Sequence, residues 1–409
     1  MTIDNEADVV IIGAGPSGLS AALTLRSRGI ERIIIIERES EAGGIPRHCH
    51  HLGFGIRDLH RCMSGPRYAA ELTRQVTTAR IPLLLSTTAT GLDAGLVQTT
   101  SPLGIRNISA RAILVATGAR ERPRSARLVP GDRPSGIFTT GQLQQWVYQQ
   151  HLPVGSHAIV VGAENVSISA LLTLRHAGVI VVALITELPH HQSVRGAALA
   201  LRARYGVSIR TDTKLVEING RHRVEEVVVE ELKSGRRIAL AVDTVVFTGD
   251  WIPDNDFARR AHVAINSGTL GPATDDGGRS STDAVYAAGN LIHPVETADV
   301  ASLRARVVAH AIADDFHSPP SHDWIDVVAN EQLAWVWPNR VRVGSSVESF
   351  SLRSMSFNSA RKVIAHQDGV LLGTSRIARI VPNRSLSISG RLIENAMGRG
   401  GPIQLSLSN

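Results

Sequence analysis

Apolar residues in this chain fall into short unbroken runs, separated by glycine turns and by stretches with helical spacing. Residues 7–12 predict a strand buried on both faces, as parallel strands are. The turn Gly13-Ala14-Gly15-Pro16-Ser17-Gly18 follows at once. Leu19, Ala22 and Leu23 then recur at helical spacing until Gly29 ends the helix. Residues 33–36, all isoleucine, predict a second buried strand that ends in Glu37. The order is strand, glycine turn, helix, strand, acid, with the acid about 20 residues beyond the last glycine.

Each part of that order has a mechanical reason. Gly13 permits the tight turn, Gly15 lets a pyrophosphate approach the backbone, and Gly18 lets the helix pack close to the strand. The helix N-terminus offers unpaired N–H groups and the positive end of its dipole to phosphates. Glu37 suits the ribose hydroxyls. In this full setting the glycine motif predicts a dinucleotide cradle.

A second copy begins near His157. Residues 158–161 predict a strand, Leu171 and Leu174 lie in a helix that Gly178 ends, and residues 179–185 predict another buried strand. Its turn reads Gly162-Ala163-Glu164-Asn165-Val166-Ser167, with glutamate at the second glycine position and serine at the third. Thr186 takes the place of the ribose acid, with Glu187 beside it. Glu164 would put a carboxylate where a pyrophosphate belongs. Two unit charges 4 Å apart repel by about 4 kcal/mol at an effective dielectric of about 20. The fold tolerates that change, and pyridine dinucleotide affinity does not. A register slip of one residue, or a different nucleotide in the second cradle, stays open.

Residues 113–118 (Ile-Leu-Val-Ala-Thr-Gly) and 284–290 predict two further strand-and-turn segments, and 297–316 predict a helix with Thr297 as N-cap. These returns imply that one nucleotide domain, 1–121 with 269–317, is split around another, 122–268. Beyond Ser318-Pro319-Pro320 alternation takes over, as in Ile403, Leu405 and Leu407, and Asp368-Gly369 predicts a hairpin turn. Residues 318–409 are therefore expected to form a small all-β module, with Trp324, Trp335 and Trp337 as packing or interface anchors. The fold class is α/β: two nested Rossmann-like domains and a C-terminal β-rich module.

Composition narrows the function. With 409 residues, 43% hydrophobic and 20% charged, the chain suits two to three globular domains. No apolar run approaches the roughly 20 residues that span a bilayer. The acidic start opens straight into a strand, which predicts neither signal nor transit peptide and a cytoplasmic protein. Two cysteines, Cys49 and Cys62, are too few for a disulfide framework, an iron–sulfur cluster or a zinc site, so no metal is expected. A redox role then needs an organic cofactor or a cluster on another subunit. The net charge of +6 is spread among interspersed acids and bases, which argues against nucleic acid as a partner.

Taken together, Gly13–Gly18 with Glu37, the Gly43-Gly44 pair, Ala116-Thr117-Gly118 and Tyr286-Ala287-Ala288-Gly289-Asn290 resemble the two-dinucleotide-domain flavoproteins related to the pyridine nucleotide–disulfide oxidoreductases. The resemblance covers residues 5–316 and implies FAD. It implies cofactor contacts at Gly13, Gly15, Pro16, Ser17, Gly18, Glu37, Arg38, Gly43, Gly44, Arg47, His48, Ala89, Ala116, Thr117, Gly118, Gly289, Asn290, Thr297 and Ala298. More narrowly, residues 44–49 (Gly-Ile-Pro-Arg-His-Cys) with Gly53-Phe54-Gly55 are similar to the FAD subunits of opine and hydroxyproline dehydrogenases and of hydrogen cyanide synthase. That branch implies oxidation of a C–N bond and a partner, either a second flavoprotein or an iron–sulfur subunit. Three departures stand out. Cys49 has no partner for a redox-active disulfide, Asn290 replaces the usual flavin-binding Asp, and the C-terminal module has no cysteines for a cluster.

The segment after Gly44 carries the candidate catalytic groups. Arg47 suits a substrate carboxylate or a flavin phosphate, and His48 or His51 suits the proton released as hydride leaves for the flavin. The alternative reading makes these residues loop-stabilising hydrogen bonders. Thr297 and Ala298, with His293 just before them, are expected beside the flavin pyrimidine edge, where the helix dipole favours negative charge. The leading expectation is an FAD-dependent dehydrogenase subunit oxidising an amine or amino-acid derivative, within a hetero-oligomer and without NAD(P). Two alternatives stay open: an NAD(P)H-dependent flavin reductase, and a flavin-binding subunit without catalysis.

Overall fold

In the computed structural model the described residues are 5–408, apart from Ala94, Arg195, Val295, 320–322, Arg361, Ala378, Met397 and Arg399. The helices in chain order are α1 (Pro16–Ser27), α2 (Gly65–Thr78), α3 (Thr140–Tyr148), α4 (Asn165–His176), α5 (Ala197–Tyr205), α6 (Asp256–Arg260) and α7 (Ala298–Asp315). Contacts group the chain into two units. One comprises Met1–Arg47, Leu52–Arg120 and Ile252–Asn409, and the other comprises His48–His51 and Glu121–Trp251.

The first unit is built on a seven-stranded sheet. The strand Glu6–Ile12 lies at its centre, parallel to Ile33–Ile36 on one side and to Gly104–Val115 on the other. Leu83–Leu84 extends it beyond Ile33–Ile36, and Val285–Ala287 pairs parallel with Gly104–Val115. Thr88–Asp93 and Leu96–Ser101 complete it as an antiparallel edge. Both faces of the central strands are covered, which explains their unbroken apolar sequence. Val9 and Ile11 join Leu19, Leu25, Tyr68, Leu72, Ala305 and Val308 in one core. Val10 and Ile12 face the other way and join Phe257, Trp335 and Trp337.

The second unit repeats the plan. Five parallel strands run in the order Ile137–Thr139, Thr244–Phe247, His157–Val161, Ile180–Ile185, Ile209–Arg210. An antiparallel sheet of Thr213–Asn219, Glu226–Glu231 and Arg236–Ala241 accompanies them.

The chain beyond α7 is β-rich, as its alternation predicts, with a short 3-10 turn at Gly390–Ile393. One sheet has the order Arg340–Arg342, Trp324–Ala329, Ile403–Ser408, Lys362–Gln367, Val370–Arg376, and a second contains Leu333–Trp337, Ser349–Ser354 and Leu386–Ser389. Asp368 and Gly369 turn the expected hairpin with φ of 49° and 79°, the left-handed pair that a two-residue turn requires. Phe350, Leu352, Val363, Ile403 and Leu405 form the module's own core. Trp335 and Trp337 instead pack on the sheet of the first unit, as packing anchors. Trp337 also donates its indole N–H to Thr274 Oγ1 at 2.9 Å. No described helix is long and apolar enough to cross a membrane.

Candidate functional site

The first glycine turn runs from the end of Glu6–Ile12 into α1. Gly18 sits where helix meets strand, and a Cβ there would lie 1.9 Å from the Gly13 carbonyl oxygen, so only glycine allows the approach. The segment after the second strand folds back onto the turn. Gly43 donates its N–H to the Ala14 carbonyl at 2.8 Å, and Gly44, at φ 61°, brings its backbone so near Gly15 that a Cβ would lie 2.9 Å from the Gly15 Cα. Ala116 donates its N–H to the Ile12 carbonyl at 2.8 Å from the neighbouring strand. Ser17 donates to the Ala301 carbonyl at 3.3 Å and abuts Gly289. Gly13, Gly15, Ser17, Gly18, Gly43, Gly44, Ala116 and Gly289 are thus brought together.

This cradle fits an adenine dinucleotide such as FAD. Pro16 opens α1, Gly15 is its N-cap, no side chain caps it, and its first turn holds no acidic residue. A Cβ on Gly15 would meet only the Gly44 Cα, at 4.0 Å, so that side of the turn is open. Glu37 is buried, with Oε2 accepting the Ala14 N–H at 2.8 Å and Oε1 accepting the Glu39 N–H at 3.0 Å. Each carboxylate oxygen keeps a further lone pair for a ribose hydroxyl.

Other expected contacts are engaged elsewhere. Arg38 is largely exposed and pairs with Asp254 at 3.1 Å, and the carbonyl of Asp254 accepts the Thr117 hydroxyl at 2.6 Å. Gly118 accepts the Asp254 N–H at 2.9 Å. Ala89 lies in the edge strand opposite Thr99. The Arg47 guanidinium meets Glu39 at 2.6 Å and Glu41 at 3.2 Å. The Asn290 amide is spent on the Glu296 backbone, accepting its N–H at 2.9 Å and donating to its carbonyl at 3.2 Å. Thr297 is the N-cap of α7, but its hydroxyl bonds Asp299, and Ala298 opens the helix. His293 is wholly buried against Trp335, with ring centroids 4.7 Å apart. Burial, then the Arg304 and Arg353 charges, holds its ionisation well below the usual histidine range.

The second cradle differs at the helix end. Glu164 is the N-cap of α4 and is buried. Its Oε2 accepts the Ala163 N–H at 3.0 Å, while its own N–H donates to Ser167 Oγ at 3.2 Å. Ser167 Oγ in turn lies 2.7 Å from Thr248 Oγ1. Carboxylate and hydroxyls from the protein therefore cluster at the α4 N-terminus.

Within the second unit, His48 and Cys49 converge on α3. The Gln144 side-chain oxygen lies 3.3 Å from His48 Nδ1 and 3.2 Å from Cys49 Sγ, and its amide nitrogen donates to Ser169 Oγ at 2.8 Å. Burial, then the nearby Glu121, pushes the Cys49 thiol up to about 12. Glu121 accepts the Gly141 N–H at 2.7 Å, and burial raises its own carboxyl. His50 stacks on Tyr148 at 3.9 Å, and His51 is half-buried. Among the described residues no group of three His, Cys, Asp or Glu side chains could hold a metal ion. Sequence reasoning missed Gln144, Glu121 and Asp254, because nothing local marks residues whose partners lie far along the chain.

Residues 7–305 match the family described as pyridine nucleotide-disulphide oxidoreductase. An opine oxidase subunit of Rhizobium meliloti is 24% identical over 342 residues, 75% of this chain and 62% of that protein, so the chain spans less than two thirds of that relative. Thioredoxin reductase of Treponema pallidum is 25% identical over 297 residues, 71% of this chain and 90% of its own length. The crystal structure of T. acidophilum thioredoxin reductase superposes with a TM-score of 0.65 at 18% identity, covering 77% of this chain and 100% of that one. The chain belongs to the pyridine nucleotide–disulphide oxidoreductases, a family of flavin-dependent oxidoreductases that generally binds FAD.

Proposed function

We propose that this chain is the FAD-bearing subunit of a dehydrogenase that oxidises an amine or amino-acid derivative, such as an opine or a proline-type imino acid. It passes the electrons to a partner subunit or another acceptor, and not to NAD(P). One observation carries the reading: the α1 N-terminus is uncapped beside open space, whereas the α4 N-terminus is filled by Glu164. The similarity to the opine oxidase component of Rhizobium meliloti supports both the substrate class and the role within a larger enzyme. Neither cysteine is in a disulfide, and Cys49 is a buried, protonated thiol, which disfavours disulfide reduction.

In this reading the α1 N-terminus receives the pyrophosphate and Glu37 the ribose. Bound FAD supplies the hydride acceptor. Arg47, committed to Glu39 and Glu41, holds the turn after Gly44.

The test is an anaerobic titration of purified protein, with any copurifying partner. The expected result is yellow protein that neither NADH nor NADPH bleaches and that an opine, proline or small N-substituted amino acid does. Rapid bleaching by a pyridine nucleotide would overturn it in favour of a reductase. Protein that stays colourless with added FAD would sink every flavin reading. Yellow protein that no substrate bleaches would leave it a non-catalytic flavin subunit.

A further inference from the structure

We infer that the C-terminal β module is a clamp on the first cradle, and that Arg353 is the positioning residue through which it holds the segment leading into α7. The inference rests on the assignment of FAD to the α1 turn above and on no particular substrate.

That segment forms one wall of the cradle. Gly289, at φ 73°, lies so close to α1 that a Cβ there would stand 2.1 Å from Ser17 Oγ. Within the first turns of α7, the Ala301 carbonyl accepts the Ser17 hydroxyl at 3.3 Å, and Ser302 Oγ lies 3.2 Å from the Pro16 carbonyl. Both ends of the segment are thus set against the start of α1, where the helix is uncapped. Between them Asn290 closes a loop onto the Glu296 backbone.

The other side of the segment belongs to the module. His293 is 1% exposed, stacked on Trp335 and with its ring centroid 5.4 Å from that of Trp337. Arg353, in the strand Ser349–Ser354, donates to the Pro294 carbonyl at 3.2 Å and lies over the Trp335 ring at 5.3 Å. Arg304 of α7 lies over Trp337 at 4.5 Å and donates to Ser351 Oγ in the same strand. Glu296, on the segment itself, is the opposite charge near both guanidinium groups. One strand of the module therefore grips both the segment and the helix it leads into.

Arg353 is only 8% exposed, and burying a cation is costly. An apolar side chain would serve if the module had only to pack there. The guanidinium adds a directional, charge-assisted bond to one carbonyl, three residues before the α7 N-cap. With that bond made, the wall is ordered before the cofactor arrives. Without it, FAD has to order the wall as it binds, and affinity falls.

The experiment uses the full-length apoprotein. Arg353→Met keeps the bulk against Trp335 and removes the donor and its charge. It should weaken FAD binding about tenfold in fluorescence titration and speed deuterium exchange of the amides between 289 and 302. Arg353→Lys, with a charged donor on a long stem, should restore most of both. Val363→Ala, in the module's own core, is the control: it should lower the unfolding midpoint and leave FAD affinity native. Native affinity or native exchange in Arg353→Met overturns the clamp, as does an equal loss of affinity in Val363→Ala. Should the methionine variant not fold, Ser351→Ala decides, with faster exchange in the first turns of α7 and weaker FAD binding expected, and native values overturning. Native apoprotein that takes up no FAD overturns the flavin assignment and the clamp together, whereas native uptake with an unaffected Arg353→Met overturns the clamp alone.

Discussion

Ala14 donates its backbone N–H to Glu37 Oε2 at 2.8 Å, joining the glycine turn to the acid that ends the second strand, 23 positions away. The bond aligns the carboxylate before any ligand arrives. In the second copy the corresponding chemistry is turned inward, with Glu164 Oε2 accepting the Ala163 N–H. One fold thus presents an open helix end and a self-filled one.

Changing Glu37→Gln leaves one oxygen to serve the two N–H donors of Ala14 and Glu39, and removes the charge. Hydrogen bonds to charged groups contribute about 1.5–3 kcal/mol, so FAD affinity should fall roughly ten- to a hundredfold. Fluorescence titration of the apoprotein with FAD reads this directly, and unchanged affinity would remove Glu37 from the cofactor site.

Glu164→Gly should act in two opposite ways. Loss of the cap lowers stability by only a few tenths of a kcal/mol, because glycine itself suits an N-cap, and denaturant unfolding measures it. Loss of the carboxylate should open NADH or NADPH binding, and calorimetry should detect none in the native protein. A native protein that already binds either nucleotide would contradict the account of this cradle.

The two thiols should differ sharply toward alkylation. Cys62 is exposed, whereas Cys49 is buried and its ionisation is raised to about 12 by burial and then by Glu121. Because the thiolate is the reactive form, iodoacetamide at neutral pH should label Cys62 and spare Cys49 until the protein unfolds. Peptide mass mapping would show equal labelling if the thiols were alike.

Glu121 gives a pH dependence of definite sign. Burial raises its folded-state ionisation above the ordinary carboxylate range. Its contribution is therefore fully present below about pH 4, where the unfolded chain is protonated too, and it declines as pH rises through the window up to the raised value. The slope is at most about 1.4 kcal/mol per pH unit. Unfolding curves between pH 4 and 8 should show that slope in the native protein and its absence in Glu121→Gln.

Local chemistry made the main features of the fold legible. Residues 33–36 are apolar at every position because both faces of the sheet are covered. The Asp368-Gly369 hairpin and the helix cap at Thr297 follow from backbone geometry alone. Glu164 could be placed by counting from Gly162, since the copy keeps the spacing of the intact motif. The side-chain partners could not be counted. Asn290 carries the right atoms for a flavin hydroxyl, yet its amide closes a loop onto Glu296, six residues on. His48 and Gln144 are 96 positions apart, and only the folded second unit brings them within hydrogen-bond reach. Arg47 likewise could not be read from charge alone, because Glu39 and Glu41 compete for it with any ligand.

The sheet around Glu6–Ile12 takes its strand Val285–Ala287 from beyond the inserted unit, and the tryptophans that cover one of its faces come later still, at 335 and 337. On the ribosome, residues 121–251 emerge complete while that sheet still lacks a strand and a lid. The inserted unit can settle first, and the half-built sheet must keep its isoleucines from other chains in the meantime.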